Sequence, residues 1–253
     1  MNIILEEIFK TGYVKTAEGK LCKVHSTISR EEGLFLQELI NECKPKQTLE
    51  VGLGYGISSL FICEALEKTP TTKHIVIDPN QFEDPKGYPF EGIGLINLKK
   101  AGFFDLIEFH NEVSYLVLPK LIKESRVLDF AFIDGWHTFD YALVDFFLID
   151  KLLKVGGLLV IDDADWQSIR KLCRYIVTNH AYSVFRCLGN ERISIKRRIL
   201  VNFVKYSHFL NNKLRFLKPE ILISDSQLGL RGSCIAFQKK AVDNRRWDFH
   251  SNF

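Results

Sequence analysis

From residue 47 to residue 188, short apolar runs alternate with longer amphipathic ones. That is the pattern of repeated strand–helix–strand units and a parallel sheet. The apolar runs predict strands over Thr48–Gly52, His74–Asp78, Leu106–His110, Leu128–Asp134, Gly157–Asp162 and Tyr182–Leu188. Most are near-continuous, as expected for strands covered by helices on both faces. Helices are predicted between them at about 57–68, 92–101, 113–124, 139–153 and 166–179, each crossover right-handed. Ser29-Arg30-Glu31-Glu32 is a capping box, with Ser at the N-cap and Glu three residues on. It opens a helix over Glu31–Glu42 that stands outside the alternation and can lie across the top of the sheet. A last strand, Ser233–Lys239, follows a long insertion and closes a final hairpin, so it is expected to run antiparallel. The fold read from this pattern is α/β: a doubly wound, Rossmann-like, mostly parallel seven-stranded sheet.

No internal repeat, low-complexity tract or linker divides the chain, so residues 1–253 read as one domain. Its parts are an N-terminal helical cover (1–46), a core (47–188), an insertion (189–231) and the last strand with a tail (232–253). A hydrophobic share of 46% and a charged share of 26% describe an ordinary globular protein and set aside disordered, collagenous and coiled-coil readings. No apolar run approaches the ~18 residues of a membrane-spanning helix, and acid at Glu6 and Glu7 comes too early for a signal peptide. The expected location is the cytoplasm. The six cysteines are never closer than 14 positions, which excludes a CxxC redox pair or zinc knuckle and suggests buried thiols. The net charge of +3 conceals an asymmetry, because residues 189–253 carry 13 Lys/Arg against 5 Asp/Glu. That basic stretch can face an anionic partner or simply be a solvated surface, and its insertion can form a lid or a homodimer surface.

Leu49-Glu50-Val51-Gly52-Leu53-Gly54-Tyr55-Gly56-Ile57-Ser58 is a strand that ends in a glycine-rich turn and enters a helix. Glycines allow a tight turn and close approach to a ligand, and a helix N-terminus offers free N–H groups to an anion. A dinucleotide site prefers G-x-G-x-x-G, whereas here the spacing is G-x-G-x-G with Glu50 two residues before the first glycine. Glu50 would repel a diphosphate. It suits a ligand bearing positive charge, such as S-adenosylmethionine, whose carboxylate would meet Ser58 and the helix end. Asp78, at the end of the next strand, is placed to accept both ribose hydroxyls. The plainer alternatives are a tight turn for Gly52–Gly56 and a turn cap for Asp78.

A second concentration of chemistry lies further along. Phe132-Ile133-Asp134-Gly135-Trp136-His137 ends one strand and Val160-Ile161-Asp162-Asp163-Ala164-Asp165-Trp166 ends the next. In a parallel sheet these ends are neighbours, so their carboxylates converge and repel unless a cation neutralises them. Oxygen ligands without cysteine favour a hard ion, Mg²⁺ before Ca²⁺ or Mn²⁺. The candidates rank Asp134, Asp162, Asp163, with Asp165 a weaker fourth. Consecutive Asp162 and Asp163 would point to opposite faces of an extended strand, so both can bind one ion only if the chain has begun to turn. The plainer alternatives make these acids helix caps and His137 a surface histidine, and Trp136 and Trp166 either pocket walls or packing.

Through Glu50-Val51-Gly52-Leu53-Gly54-Tyr55-Gly56 and Asp78, the sequence resembles the class I S-adenosylmethionine-dependent methyltransferases over roughly residues 25–188 plus the last strand. In such enzymes the loop after the third strand contacts adenine, which points to Asn111–Ser114 and above all to Ser114. Asp134-x-x-His137 followed by Asp162-Asp163 is similar to the metal-dependent O-methyltransferases, catechol-type and macrolide-sugar-type. By that resemblance Asp134, Asp162 and Asp163 are metal ligands and His137 is the general base, so that His137 and Asp134 are the catalytic pair. The cofactor contacts implied are Glu50, Gly52, Gly54, Gly56, Ser58, Asp78 and Ser114. Histidine at position 137, where catechol-type members have lysine, turns the expectation away from catechols.

The chemistry agrees with the residues: a cation lowers a neighbouring hydroxyl's pKa, histidine accepts its proton, and orientation contributes much of the rest. The expected function is a Mg²⁺-dependent O-methyltransferase acting on a small hydroxylated molecule, a sugar or secondary metabolite, and not on nucleic acid or a membrane. Two alternatives stand beside it. One is a nucleic-acid methyltransferase using the basic C-terminal region, against which Ile133-Asp134-Gly135-Trp136 lacks the Asn/Asp-Pro-Pro-Tyr/Phe of amino-methylating DNA enzymes. The other is a non-catalytic nucleotide-binding module.

Overall fold

The structure, a computed structural model, describes residues 2–67, 72–82, 90–189 and 223–253. Seven strands form one sheet in the order β5-β4-β3-β6-β7-β9-β8: β3 (Gln47–Val51), β4 (Lys73–Ile77), β5 (Ile107–His110), β6 (Leu128–Ile133), β7 (Leu153–Ile161), β8 (Tyr182–Leu188) and β9 (Cys234–Lys239). Pairings from β5 across to β7 are parallel, and β9 runs antiparallel to both β7 and β8. Every strand expected from the apolar runs is present. The largest difference is at β7, which begins at Leu153 because a register shift against β6 lets the Gly156–Gly157 segment remain inside the strand.

Period-two alternation assigns the strand residues to two cores. Phe130, Phe132, Leu158, Val160 and Ala236 face one layer, formed by α2 (Arg30–Cys43), α3 (Ile57–Leu66) and α4 (Ile93–Lys100). Leu49, Val51, Ala131, Ile133, Leu159, Ile161 and Phe237 face the other, formed by α5 (Ser114–Lys123), α6 (Phe139–Leu152) and α7 (Gln167–Asn179). The helix with the capping box, α2, lies on a face beside α3 and not across the top. Phe35, Leu36, Leu39 and Ile40 make its inner side apolar and bury it there, while its first turn reaches the carboxyl edge of the sheet. The box itself forms, with Ser29 Oγ accepting from Glu32 N–H and Glu32 accepting from Ser29 N–H.

The N-terminal cover is not purely helical. After α1 (Ile3–Thr11) comes a small antiparallel hairpin of β1 (Tyr13–Lys15) and β2 (Leu21–Lys23). Three-residue strands with a single buried side chain, Val14, leave too little alternation to stand out from a loop in the sequence. The thiols also divide: Cys63, Cys173 and Cys234 are buried as expected, but Cys43 is exposed and Cys22 and Cys187 are intermediate. Among the described residues, no helix is long and apolar enough to cross a membrane. Most of the 189–231 insertion lies outside the described residues.

The contact of α2 with α3 rests on Gly33, where an added Cβ would sit 2.1 Å from the fully buried Phe61 ring. Replacing a helical Gly by Ala ordinarily gains ~1 kcal/mol in propensity. Here overpacking should outweigh that gain, and Gly33→Ala should destabilise the fold by about 1–3 kcal/mol in urea unfolding, with an unchanged or increased stability contradicting the packing account.

Candidate active site

The chain runs outward from β3 to β4 and β5, then returns to place β6 on the other side of β3, so the order reverses between β3 and β6. Ligands of open α/β sheets bind outside the carboxyl ends of the strands at such a switch point. A cavity of about 610 Å³ opens there, within the range of small-molecule sites. Its floor is the glycine turn. Gly52 adopts φ +97°, and a Cβ on it would lie 2.2 Å from the backbone oxygen of Asp134, so only glycine lets the β3 turn close on the end of β6. Gly56 caps α3 without any side-chain bond. The first N–H groups of α3 therefore face the cavity beside Ser58, an arrangement that attracts an anion.

Asp78 lies at the cavity wall, 3% exposed. Its Oδ2 accepts N–H bonds from Leu53 and Gly54 and from the Gln81 amide, at 3.0, 2.8 and 2.9 Å, and its Oδ1 accepts from Asn80 N–H at 2.7 Å. The carboxylate thus staples the glycine turn to the end of β4. Glu50 is not among the cavity's lining residues. Alternation turns it, with Thr48, to the α3 face, where its Oε2 accepts from Ser59 Oγ and lies 3.1 Å from His74 Nε2. Glu50 is fully buried, and its Oε1 has no partner.

The ladder that holds β3, β6 and β7 together continues one residue past their ends. Asp134 N–H donates to Val51 O, and Asp162 N–H donates to Ile133 O. Asp134 and Asp162 are therefore aligned side by side. Asp163 then takes a left-handed conformation, φ +49°, uncommon outside glycine but tolerated by aspartate. That turn brings its side chain back to Asp134, whereas Asp162 stays outside the group that the two form with His137. Donor atoms of Asp134, His137 and Asp163 lie within 4.8 Å of one another. His137 Nε2 is 2.6 Å from Asp163 Oδ2 and 3.8 Å from Asp134 Oδ1, without the alignment of a hydrogen bond. Asp162 is 6% exposed, and its Oδ1 has no partner.

Electrostatics follow from the crowding. Burial and then the charges of Asp162, Glu50, Asp163 and Glu32 hold the Asp134 carboxyl well above its ordinary range. Burial, followed by Glu32 and Asp163, pushes Asp162 up to about 7. Among the described residues Asp150, His180 and Asp243 also cluster, but Lys239, Lys151 and Arg245 already pair with those two carboxylates.

Of the other expected residues, Ser114 and Gly54 line the cavity, as do Trp136 and Trp166, the latter with its ring 5.0 Å from that of His137. Asp165 is exposed and not among the lining residues. The helix that follows is capped by Trp166 without a side-chain bond, so the acids do not serve as its caps. Two acids escaped the sequence reading. Glu32 was legible only as half of a capping box. Asp145, on α6, is buried at the cavity wall with Ser114 as its partner, and burial raises its pKa to about 6; its place in an amphipathic helix disguised it. Tyr55 and Phe90 pack edge to face, with His25 against both, beside the glycine turn.

Comparison with known proteins gives a consistent family. A family model described as a methyltransferase domain matches residues 49–164. The flavonoid 3',5'-methyltransferase of Vitis vinifera is 30% identical over 198 residues, covering 77% of this chain and 74% of that protein. The caffeoyl-CoA O-methyltransferase 2 of Petunia hybrida is 32% identical over 161 residues, with 59% of this chain and 62% of that one covered, so the chain spans under two thirds of that relative's length. Among solved structures, the O-methyltransferase from Bacillus cereus in complex with SAH superimposes with a TM-score of 0.59 at 20% identity, over 73% of this chain and 83% of that one. At that identity the likeness is one of fold.

The raised Asp162 carboxyl has a consequence for stability. An aspartate in the unfolded chain titrates near ~3.9, so a folded-state value of about 7 means that this group's stabilising contribution is complete below the unfolded value and is lost as pH rises through 7. In chelator, Asp162→Asn should therefore raise Tm at pH 8, by roughly 2–4 °C per kcal/mol of repulsion relieved, and leave it unchanged at pH 4. Equal shifts at both pH values would contradict the repulsion.

Proposed function

Because the chain belongs to the class I S-adenosylmethionine-dependent O-methyltransferases, we propose that it methylates a hydroxyl of a small molecule with a divalent cation, Mg²⁺ first, held by Asp134, Asp162 and Asp163. The observation that carries this reading is the left-handed turn at Asp163, which brings its carboxylate within 4.8 Å of donor atoms of Asp134 and His137; Asp162 stands beside Asp134 on the next strand. The donor set fits such an ion: the Asp134 and Asp163 carboxylates cluster, and the neighbouring Asp162 has a buried oxygen without a partner. A hard cation bound there supplies a lowered pKa for an adjacent hydroxyl. The relatives named for flavonoid and caffeoyl-CoA methylation support a hydroxylated small molecule as acceptor.

The remaining work falls to the chain's own side chains. His137 takes the proton that leaves the acceptor oxygen, and Asp163 Oδ2 at 2.6 Å stabilises the imidazolium that results. The donor's carboxylate sits on the uncapped N-terminus of α3 beside Ser58. Asp78 keeps one oxygen, Oδ1, with a single N–H bond, which leaves a lone pair for a ribose hydroxyl. Gly52, Gly54 and Gly56 allow the donor to lie close to the backbone, and Ser114 lies where adenine is expected. Glu50 acts from beneath the turn through its charge and not through contact. A second reading of His137 is favoured by its place within 4.8 Å of the two carboxylates: Nε2 would be a ligand and not the base.

Calorimetric titration separates these outcomes without knowledge of the acceptor. S-adenosylmethionine should bind the full chain, Mn²⁺ should bind with about one ion per chain, and Asp134→Asn and Asp163→Asn should each weaken Mn²⁺ by at least ~10–100-fold, a loss typical of disturbed metal sites. His137→Ala should leave Mn²⁺ affinity unchanged if His137 is the base and weaken it if Nε2 is a ligand. Failure of both the methyl donor and Mn²⁺ to bind would overturn the proposal.

A further inference from the structure

The two oxygens of Asp78 are treated unequally. Oδ2 accepts from Leu53 N–H at 3.0 Å, from Gly54 N–H at 2.8 Å and from the Gln81 amide at 2.9 Å. A carboxylate offers about four lone-pair sites, divided between its oxygens, so three donors already fill Oδ2. Oδ1 accepts, among the described residues, from Asn80 N–H alone, at 2.7 Å. The capacity that remains on this carboxylate is therefore one lone pair, on the oxygen that the glycine turn does not hold.

Gln81 completes this asymmetry. Its side chain is fully buried and is not among the cavity's lining residues. Nε2 donates to Gly54 O at 2.9 Å as well as to Asp78 Oδ2, which uses both amide hydrogens. Two acceptors face that position, so only the nitrogen can occupy it and the orientation of the amide is determined. Oε1 is buried and, among the described residues, without a partner, so the amide keeps its two donations while its own acceptor goes unanswered. The backbone around it is pinned: Gln81 O accepts from Gly92 N–H at 2.7 Å, and Asn80 O accepts from Phe90 N–H at 2.8 Å. One buried amide thus ties the middle of the glycine turn to the end of β4 and leaves Oδ1 as the oxygen with room for a ligand.

We propose that Gln81 is a positioning residue for the methyl donor: by filling Asp78 Oδ2 it confines recognition of the ribose to Oδ1, so that Asp78 grips one ribose hydroxyl and not both. The inference rests on the methyltransferase reading and sharpens it. A carboxylate that holds two hydroxyls side by side needs a free lone pair on each oxygen, and the donors on Oδ2 deny the second. Gln81 acts only through Asp78 and the Gly54 carbonyl. Its alignment of Oδ1 matters because hydrogen bonds weaken steeply when misdirected, and those to a charged acceptor have the most to lose.

The test is a hydroxyl series: S-adenosylhomocysteine and its 2'-deoxy and 3'-deoxy analogues, titrated by calorimetry into the full chain and into Gln81→Met, which keeps the length of the side chain and removes the amide. With the unaltered chain, one deoxy analogue should bind at least about tenfold more weakly than S-adenosylhomocysteine, as expected for a lost hydrogen bond to a charged group, and the other should bind within about threefold of it. In Gln81→Met, S-adenosylhomocysteine should weaken by about three- to tenfold while the sensitive analogue changes by less than about twofold, because that analogue never makes the bond that Gln81 aligns. A purely structural role would weaken all three ligands alike. Should thermal melting show that Gln81→Met does not fold, Gln81→Asn, too short to span both acceptors, takes its place. Equal losses for the two deoxy analogues, no loss for either, or a uniform loss across the series on substitution overturns the inference. If S-adenosylhomocysteine binds and the hydroxyl pattern is missing, only this inference falls, whereas absence of binding by all three removes the methyltransferase reading beneath it as well.

Discussion

The site depends on lateral registration of three parallel strand ends. Val51, Ile133 and Ile161 stand opposite one another, and the next residue of each strand emerges at one level. Hydrogen bonds from Asp134 and Asp162 to the preceding strand extend the ladder by one rung, and the missing Cβ of Gly52 allows the first turn to press against the backbone of Asp134. A glycine cradle and an acidic cluster that lie some eighty residues apart in sequence are thereby held within one cavity. The side chains supply chemistry, but the backbone ladder supplies their spacing, and packed strands do not yield readily to local strain.

Within that frame, electrostatic repulsion is tolerated because covalent and packing constraints leave the acids nowhere else to go. Asp134 is held by its strand, Asp162 by its strand and by burial, and Asp163 by a left-handed turn. Sites of this kind trade stability for function. Glu50 differs from them in lying on the α3 side of the sheet, where one oxygen of its carboxylate is met by Ser59 and His74.

Much of the fold was legible because buried parallel strands leave continuous apolar runs, and Leu128–Ile133 or Leu158–Ile161 cannot be mistaken for loop. The aspartates were legible for the same reason, as charges that interrupt such runs at their ends. The direction of Glu50 was available in principle: with Leu49 and Val51 on one face, alternation sends Glu50 to the other. Three features were not available. The left-handed state of Asp163 is a single-residue choice that tertiary contacts decide. The three-residue strands of the N-terminal hairpin are too short to carry a period. Glu32 satisfies a local motif so completely that its long-range role has no separate signature in the sequence.

The position of β9 has a consequence for how the molecule comes into being. It is made after β8, yet it lies between β7 and β8, and Ser233 just before it clasps Glu32 from 201 residues away. A growing polypeptide on the ribosome can assemble β3 to β7, but it must wait for β9 before the sheet closes and the acidic wall is complete. Until then β7 is an open edge, the kind of surface on which strands of other chains can add. Long-range closure of this sort slows folding, and it makes the finished cavity depend on a segment synthesised long after the glycine turn.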